Sequence, residues 1–192
     1  MQILHDKPHT KRPVIVAAAT RLFAERGIDA TSMRDIADAA GIREAAIYRH
    51  FANKESMSRD IFVSWYAWYG SQLRDIAKGS GTLREKLGRV ARLELDAAEK
   101  HSEALLYFCE NEPRFLHTLP AGVPRAGEIL STMIKEGQKR GEVRRGDAGI
   151  LADMLSGALC GTALSWIRRG RPRSVRRHAD LIAEACWRMI AD

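Results

Sequence analysis

Tyr48, Arg49 and His50 stand side by side in the stretch AGIREAAIYRHF, residues 40–51, with Arg43 before them and Lys54 after. Such a set of donors suits one of three roles: a solvated helix face, a catalytic group, or a surface that binds phosphate. The catalytic role finds no support elsewhere in the chain. There is no Gly-x-Ser-x-Gly elbow, no phosphate-cradling GxxxxGK[ST] and no HExxH. Cys109, Cys160 and Cys186 lie far apart without a CxxC, which reads as buried thiols in a reducing compartment. Cys109 has no histidine at a recognisable spacing. His5 and His9 are four apart, a metal spacing, but on a polar terminal segment. No catalytic residue, metal or cofactor is expected.

Helical phase separates the cluster. At 100° per residue, Ile47 and Phe51 fall on one side, and Ala45 and Arg49 lie within about 40° of the opposite direction. Tyr48 and Ala46 flank them. The outward face is therefore small, aromatic and cationic. Small Ala45 and Ala46 let a backbone approach a groove floor, and Arg49 can reach a phosphate or a guanine edge. Tyr48 and His50 can donate to phosphate oxygens, and Lys54 opens the next helix, where free N–H groups favour an anion. Glu44 can accept from a cytosine amino group or pair with Arg43.

That face requires a particular set of supports. A first helix is expected over Lys11–Arg26, with Val14, Ile15, Ala18, Ala19, Leu22 and Phe23 as its apolar side and Gly27 at its end. Thr31 or Ser32 offers an N-cap to a second helix ending near Ala39. Small Ala37 permits a close crossing, and Gly41 can take the positive φ of a sharp turn. The third helix is expected over Arg43–His50. Two helices joined this way form a helix-turn-helix. The formal net charge of +7 favours a polyanionic partner but is weak evidence alone.

From Val14 to Met57 the chain resembles the TetR family of transcriptional regulators. The residues that carry the resemblance are AAATRLFAERGIDATSMRDIADAAGI, then AIYRHFANKESM. The resemblance implies an all-α fold: a three-helix DNA-binding domain followed by about six helices that bind a ligand and dimerise. It implies phosphate contacts for Tyr48, His50 and Lys54, and a place near the DNA backbone for Thr31, Ser32 and Arg34. The chain departs from the family where a Ser-Lys-Gly-like start to the third helix is replaced by Arg43-Glu44-Ala45. The DNA-facing set is thus Thr31, Ser32, Arg34, Arg43, Glu44, Ala45, Ala46, Tyr48, Arg49, His50 and Lys54. The operator sequence cannot be carried over.

The remaining chain also reads as helix, without period-two alternation or hairpin signals. Helices are expected over 54–78 after an Asn53 cap, from a Thr82 cap toward His101, through SEALLYFCENE, over Ala126–Arg140, Asp147–Arg168 and Ser174–Ala191. PRFLHTLPAGVP is expected as a loop or broken helix. Trp65, Trp68 and Tyr69, with Tyr107, Phe108, Cys109 and Trp166 as partners, are either an aromatic core or the wall of a pocket for a flat apolar ligand. Ser156, Gly157, Cys160 and Gly161 repeat at i, i+4, so another helix can approach closely. Gly157 and Gly161, with Ile182, Cys186 and Met189, form the candidate dimer interface that the resemblance implies, with packing inside one chain as the rival. RRGRPRSVRR, residues 168–177, holds six arginines and no acid. It reads as a solvated basic loop, with a second anion site as the rival.

No stretch approaches the ~20 apolar residues of a membrane helix, and the first residues carry no apolar signal core. A cytoplasmic location without a membrane partner is expected. The division is a DNA-binding domain at residues 1–52 and a ligand-binding, dimerising domain at 53–192. The expected function is a homodimeric repressor that leaves a palindromic double-stranded operator when a small molecule binds. Two rivals stand: a DNA-binding regulator without a small-molecule ligand, and a helical small-molecule-binding protein whose helix-turn-helix is vestigial.

Overall fold

Ile15, Ala19, Leu22 and Phe23 recur on one side of α1 (Arg12–Arg26), and all are buried. The computed structural model describes residues 11–171 and 173–192, so His5 and His9 lie outside the described residues. Among the described residues the regular elements are helical, apart from one isolated bridge between Val143 and Ala191. After α1 come α2 (Met33–Ala40), α3 (Glu44–Ile47), α4 (Lys54–Lys78), α5 (Leu83–Lys100), α6 (Ser102–Phe115), α7 (Ala126–Lys139), α8 (Ala148–Arg168) and α9 (Ala179–Ile190). The all-α reading holds. Two compact units form: the described part of Met1–Trp68 with Glu103–Ala121, and Tyr69–Ser102 with Gly122–Asp192.

Local chemistry sets the boundaries in the first unit. Pro13 opens α1, where its missing N–H costs nothing. Val14, expected on the apolar side, is 48% exposed, because helical phase sets it with Ala17 and Glu25 on the outer face. Ser32 caps α2: its hydroxyl accepts from Asp35 N–H at 3.0 Å, and Asp35 accepts from Ser32 N–H at 2.8 Å. This reciprocal box satisfies two amides that the helix itself leaves unpaired. Gly41 ends α2 in the left-handed region (φ 64°, ψ 37°), which lets Ile42 N–H return to the Ala37 carbonyl.

Aromatic residues fill the rest of this unit. Phe62 of α4 has Phe108 of α6 at 5.2 Å, Phe115 at 5.6 Å and Tyr66 at 5.8 Å between ring centroids. Tyr107 is fully buried, stacks on Phe23 of α1 at 5.7 Å, and donates to the Ser58 carbonyl at 2.6 Å. Burial pushes its phenol well above the usual range. Each such buried ring contributes roughly 2 kcal/mol by area alone. α6 continues past Pro113 to Phe115 and then tightens into a 3-10 turn at Leu116–Thr118, so the expected break comes later than PRFL suggests.

The second unit packs α5, α7, α8 and α9 around Leu87, Val90, Leu130, Met133, Ile134, Leu151, Leu155 and Ile190. Thr82 and Glu85 form a capping box at the start of α5, and Asp147 caps α8 through Gly149 and Ile150 N–H. α9 begins at Ala179 rather than Ser174. The intervening residues are held instead by Glu99, which accepts from the Ser174 hydroxyl and Arg176 N–H, while Val175 is buried. Part of the arginine-rich segment is therefore docked on α5, through Glu99 and an ion pair of Arg176 with Asp96.

Two features depart from the sequence reading. The 21-residue α8 carries a window of mean hydropathy 1.5 with 39% of it buried, so it is long and apolar enough by length and composition to span a membrane. One such helix is weak evidence for a span, since a helix with an apolar outer face passes the same test. Glu94 of α5 is only 4% exposed, and burial pushes its carboxyl up, opposed by a hydrogen bond from Tyr69.

Two predictions follow from these local devices. Ser32→Ala removes the N-cap and destabilises the protein by about 1 kcal/mol in chemical denaturation. The Ser32 bonds hold the Asp35 pKa below its ordinary 3.8, so that contribution is present above pH 3.8 and is lost as pH falls further. The gap between wild type and variant narrows there. Glu94 has the opposite sign: its raised folded pKa makes stability fall as pH rises above its ordinary 4.5. Glu94→Gln flattens that fall, measured as Tm against pH; an unchanged pH profile excludes a buried, charge-averse carboxyl.

Candidate nucleic-acid interface

α3 is shorter than its expected span of Arg43–His50. Arg43 is its N-cap, extended at φ −78° and ψ 140°, and makes no side-chain cap bond. The absence of a Ser, Thr, Asn or Asp at that position leaves the first turn unsupported. After Ile47 the chain tightens, with His50 N–H and Phe51 N–H both donating to the Ile47 carbonyl, at 2.8 and 3.0 Å. The phase survives. Ile47 is fully buried and Phe51 nearly so, while Arg43, Glu44, Ala45, Tyr48 and Arg49 are exposed and Ala46 and His50 half-buried.

Glu44 does not pair with Arg43 as one reading had it; it accepts from the Tyr48 hydroxyl one turn later, at 3.4 Å. That bond leans the half-exposed Tyr48 ring along the outer face and leaves Ala45 and Arg49 uncovered. Arg34 of α2 is also exposed. On α3, Ala45, Tyr48 and Arg49 form an outward face of small, aromatic and cationic groups, the combination that fits a groove floor flanked by phosphates.

Three of the expected contacts are engaged within the chain itself. Thr31 is 1% exposed, and its hydroxyl donates to the Gly27 carbonyl at 2.8 Å. It closes the end of α1, and its side chain has no path to a DNA backbone. The Ser32 hydroxyl is engaged in the capping box. Lys54 Nζ donates to the Thr31 carbonyl at 2.7 Å and the Asp29 carbonyl at 3.2 Å. Two of its three protons thus hold the loop between α1 and α2, which leaves one for an outside acceptor.

Arg114 of α6 reaches the same loop and was not anticipated. Its guanidinium lies 2.7 Å from Glu55 and 3.5 Å from Asp29. No local pattern signals a contact between residues so distant in sequence. Arg12 was missed as well; it sits over the Phe51 ring at 4.8 Å and pairs with Asp60 at 3.5 Å.

The residues expected to line a ligand pocket divide between the units. Trp65, Trp68, Tyr107, Phe108 and Cys109 belong to the first, where Trp65 meets Trp68 at 4.9 Å and Phe108 at 6.5 Å. Trp65, Tyr107 and Phe108 are buried there, the packing half of the expectation. Tyr69 and Trp166 belong to the second. Tyr69 donates to Glu94, and Trp166 Nε1 donates to the Arg173 carbonyl at 2.7 Å. Glu94 had a legible signal: an acid four residues after Val90, on the inner face of α5.

Of the expected dimer-interface residues, Gly157 and Gly161 are exposed, and a Cβ added at either meets nothing within 4 Å. Exposed Ile150 and Met154 share α8 with them, and Leu181 of α9 is 69% exposed. Ile182 and Met189 are partly buried against the second unit's core. Cys186 is 3% exposed within that core, so its thiol faces inward to its own chain. Among the described residues no group of His, Cys, Asp and Glu is arranged to hold a metal ion.

Comparison with known proteins bears on these residues. A family profile described as bacterial regulatory proteins, tetR family, matches residues 15–61. The HTH-type transcriptional repressor KstR2 of Mycobacterium tuberculosis is 34% identical over 113 residues, covering 56% of this chain and 56% of that protein. The chain thus spans just over half the length of the curated relative it matches. The solved structure of the ketosteroid transcriptional regulator KstR2 of Mycobacterium tuberculosis has a TM-score of 0.81 at 23% identity, covering 97% of each chain. That of FadR from Bacillus subtilis, in complex with stearoyl-CoA, has a TM-score of 0.73 at 21% identity, covering 91% of this chain and 96% of that one. At those identities the likeness is one of fold. The match to the tetR family of bacterial regulatory proteins covers residues 15–61, the helix-turn-helix segment with its flanking helices.

Proposed function

We propose that the chain is a homodimeric DNA-binding transcriptional repressor, released from a palindromic operator by a small apolar or aromatic ligand, and not an enzyme. Residues 1–52 serve DNA binding, and residues 53–192 serve ligand binding and dimerisation, in the cytoplasm. The observation that carries this reading is the exposed face of Ala45, Tyr48 and Arg49 over fully buried Ile47. Arg34, Arg43 and His50 extend it, and Lys54 supplies its remaining proton.

Dimerisation is supported by the outer strip of α8 and α9. Ile150 and Met154 are exposed apolar side chains on the α8 face of the open Gly157 and Gly161, and Leu181 of α9 is exposed as well. Glycine inside a helix costs roughly 1 kcal/mol relative to alanine, so its presence twice on an open face calls for a compensating close approach. A two-fold dimer also suits a helix-turn-helix, which reads two half-sites about one DNA turn apart. The apolar character that lets α8 pass as a membrane span is the character of such an interface.

A ligand response is supported by the kind of relatives found. KstR2 is named as a ketosteroid regulator, and FadR was solved with stearoyl-CoA. Both names point to large apolar acyl or ring compounds. In this chain the Tyr69–Glu94 hydrogen bond offers a polar anchor in an otherwise apolar interior. A ligand releases DNA only if it binds one state of the dimer more tightly than the other.

Selection of DNA sequences by the purified protein, followed by footprinting, tests the main reading. A two-fold footprint supports it; no retained DNA even at low salt excludes it. Arg49→Ala is expected to change base preference, and Tyr48→Phe to weaken binding to all sequences by roughly 3- to 10-fold. Gly161→Leu leaves the folded monomer intact, since open space awaits the side chain, and shifts the dimer toward monomer in sedimentation. A dimer of undiminished strength excludes the α8 face as the interface.

A further inference from the structure

We propose that Arg114 is a positioning residue for DNA binding, clasping the loop between α1 and α2 to the start of α4. The inference rests on the DNA-binding reading and assigns a role to a residue far outside the helix-turn-helix segment.

The geometry starts on α6. Tyr107 and Arg114 are seven residues apart, two helical turns, and so share one side of the helix. Tyr107 anchors that side against α1 and α4 through the Phe23 ring and the Ser58 carbonyl. Two turns on, Arg114 is aimed at the edge of the same elements. One guanidinium nitrogen lies 2.7 Å from Glu55 Oε2, and the other lies 3.5 Å from Asp29 Oδ1.

The adjacent residue completes the grip. Lys54 holds the same loop by its backbone, at the Asp29 and Thr31 carbonyls. Lys54 and Glu55 open α4, so one helix start holds the loop directly and, through Arg114, a second time. The next residue after the loop is Ser32, whose side chain caps α2. The loop therefore sets where α2 begins, and with it the turn and α3.

The clasp is wet. Glu55 and Arg114 border an open cleft of about 480 Å³, together with Arg59 and His117. Side chains this accessible contribute little to global stability, and salt weakens them. The role of the clasp is thus to fix the position of a loop rather than to hold the protein folded. That separates its expected signature from that of an ordinary packing residue.

The test uses the full chain as wild type, Arg114→Ala, Glu55→Gln and the double variant. It reads Tm, amide hydrogen exchange over residues 28–33 in the absence of DNA, and affinity for the DNA that the wild type selects. Arg114→Ala is expected to leave Tm within about 2 °C, as for an exposed ion pair. It should speed exchange in the loop and weaken DNA binding by about 3- to 10-fold. The same replacement should cost markedly less in the Glu55→Gln background, because coupled residues are not additive. Unchanged loop exchange in Arg114→Ala overturns the proposal. So does a loss of affinity that is equal in both backgrounds and lowers the salt slope by about one, the mark of a direct phosphate contact. If the wild type selects no DNA, the DNA-binding reading fails, and loop exchange by itself decides the clasp.

Discussion

Ile47 gives up all its solvent-exposed surface, and the orientation of α3 follows from that. With only four residues in regular helix and no side-chain cap, α3 has little stability of its own. Its phase is fixed from below, by Ile47 and Phe51. Once those two are inside, Ala45, Tyr48 and Arg49 have nowhere to point but out. The replacement of the usual capping start by Arg43-Glu44-Ala45 costs the helix a cap. It places an acid, bonded to Tyr48, within the exposed face.

The supports beneath α3 are of two kinds. A capping box at Ser32 starts α2 locally and the left-handed Gly41 ends it. Long-range grips then fix those ends to one another: Thr31 to Gly27, Lys54 to the loop carbonyls, Arg114 to Asp29 and Glu55. Charged residues that look like DNA contacts by type are partly spent on this second task. A lysine with two protons committed to carbonyls is a structural strut first. The cationic surface left over is concentrated in Arg34, Arg43 and Arg49.

The second unit sets a contrast between two uses of apolar surface. α8 buries Leu151, Leu155 and Leu159 in its own core and leaves Ile150, Met154 and two open glycines on the other side. Glu94 presents the reverse case, a titratable group inside an apolar unit. Its protonation is coupled to Tyr69 and thereby to the packing between α4 and α5.

Sequence alone determined what depends on near neighbours. The caps at Ser32, Asn53 and Thr82, the turn at Gly41 and most helix ends are set by residues within a turn of each other, and they were legible. So was the outward face of α3, because a period of 3.6 fixes phase once two buried residues are known. Tertiary structure decided what depends on distant partners. The burial of Thr31, the commitment of Lys54, the reach of Arg114, the inward Cys186 and the late start of α9 each arise from contacts across many residues. Phase gives the side of a helix on which a residue lies. It does not give which neighbour arrives there, and hydrogen bonds are directional, so only the assembled chain settles which donors remain free for an outside acceptor.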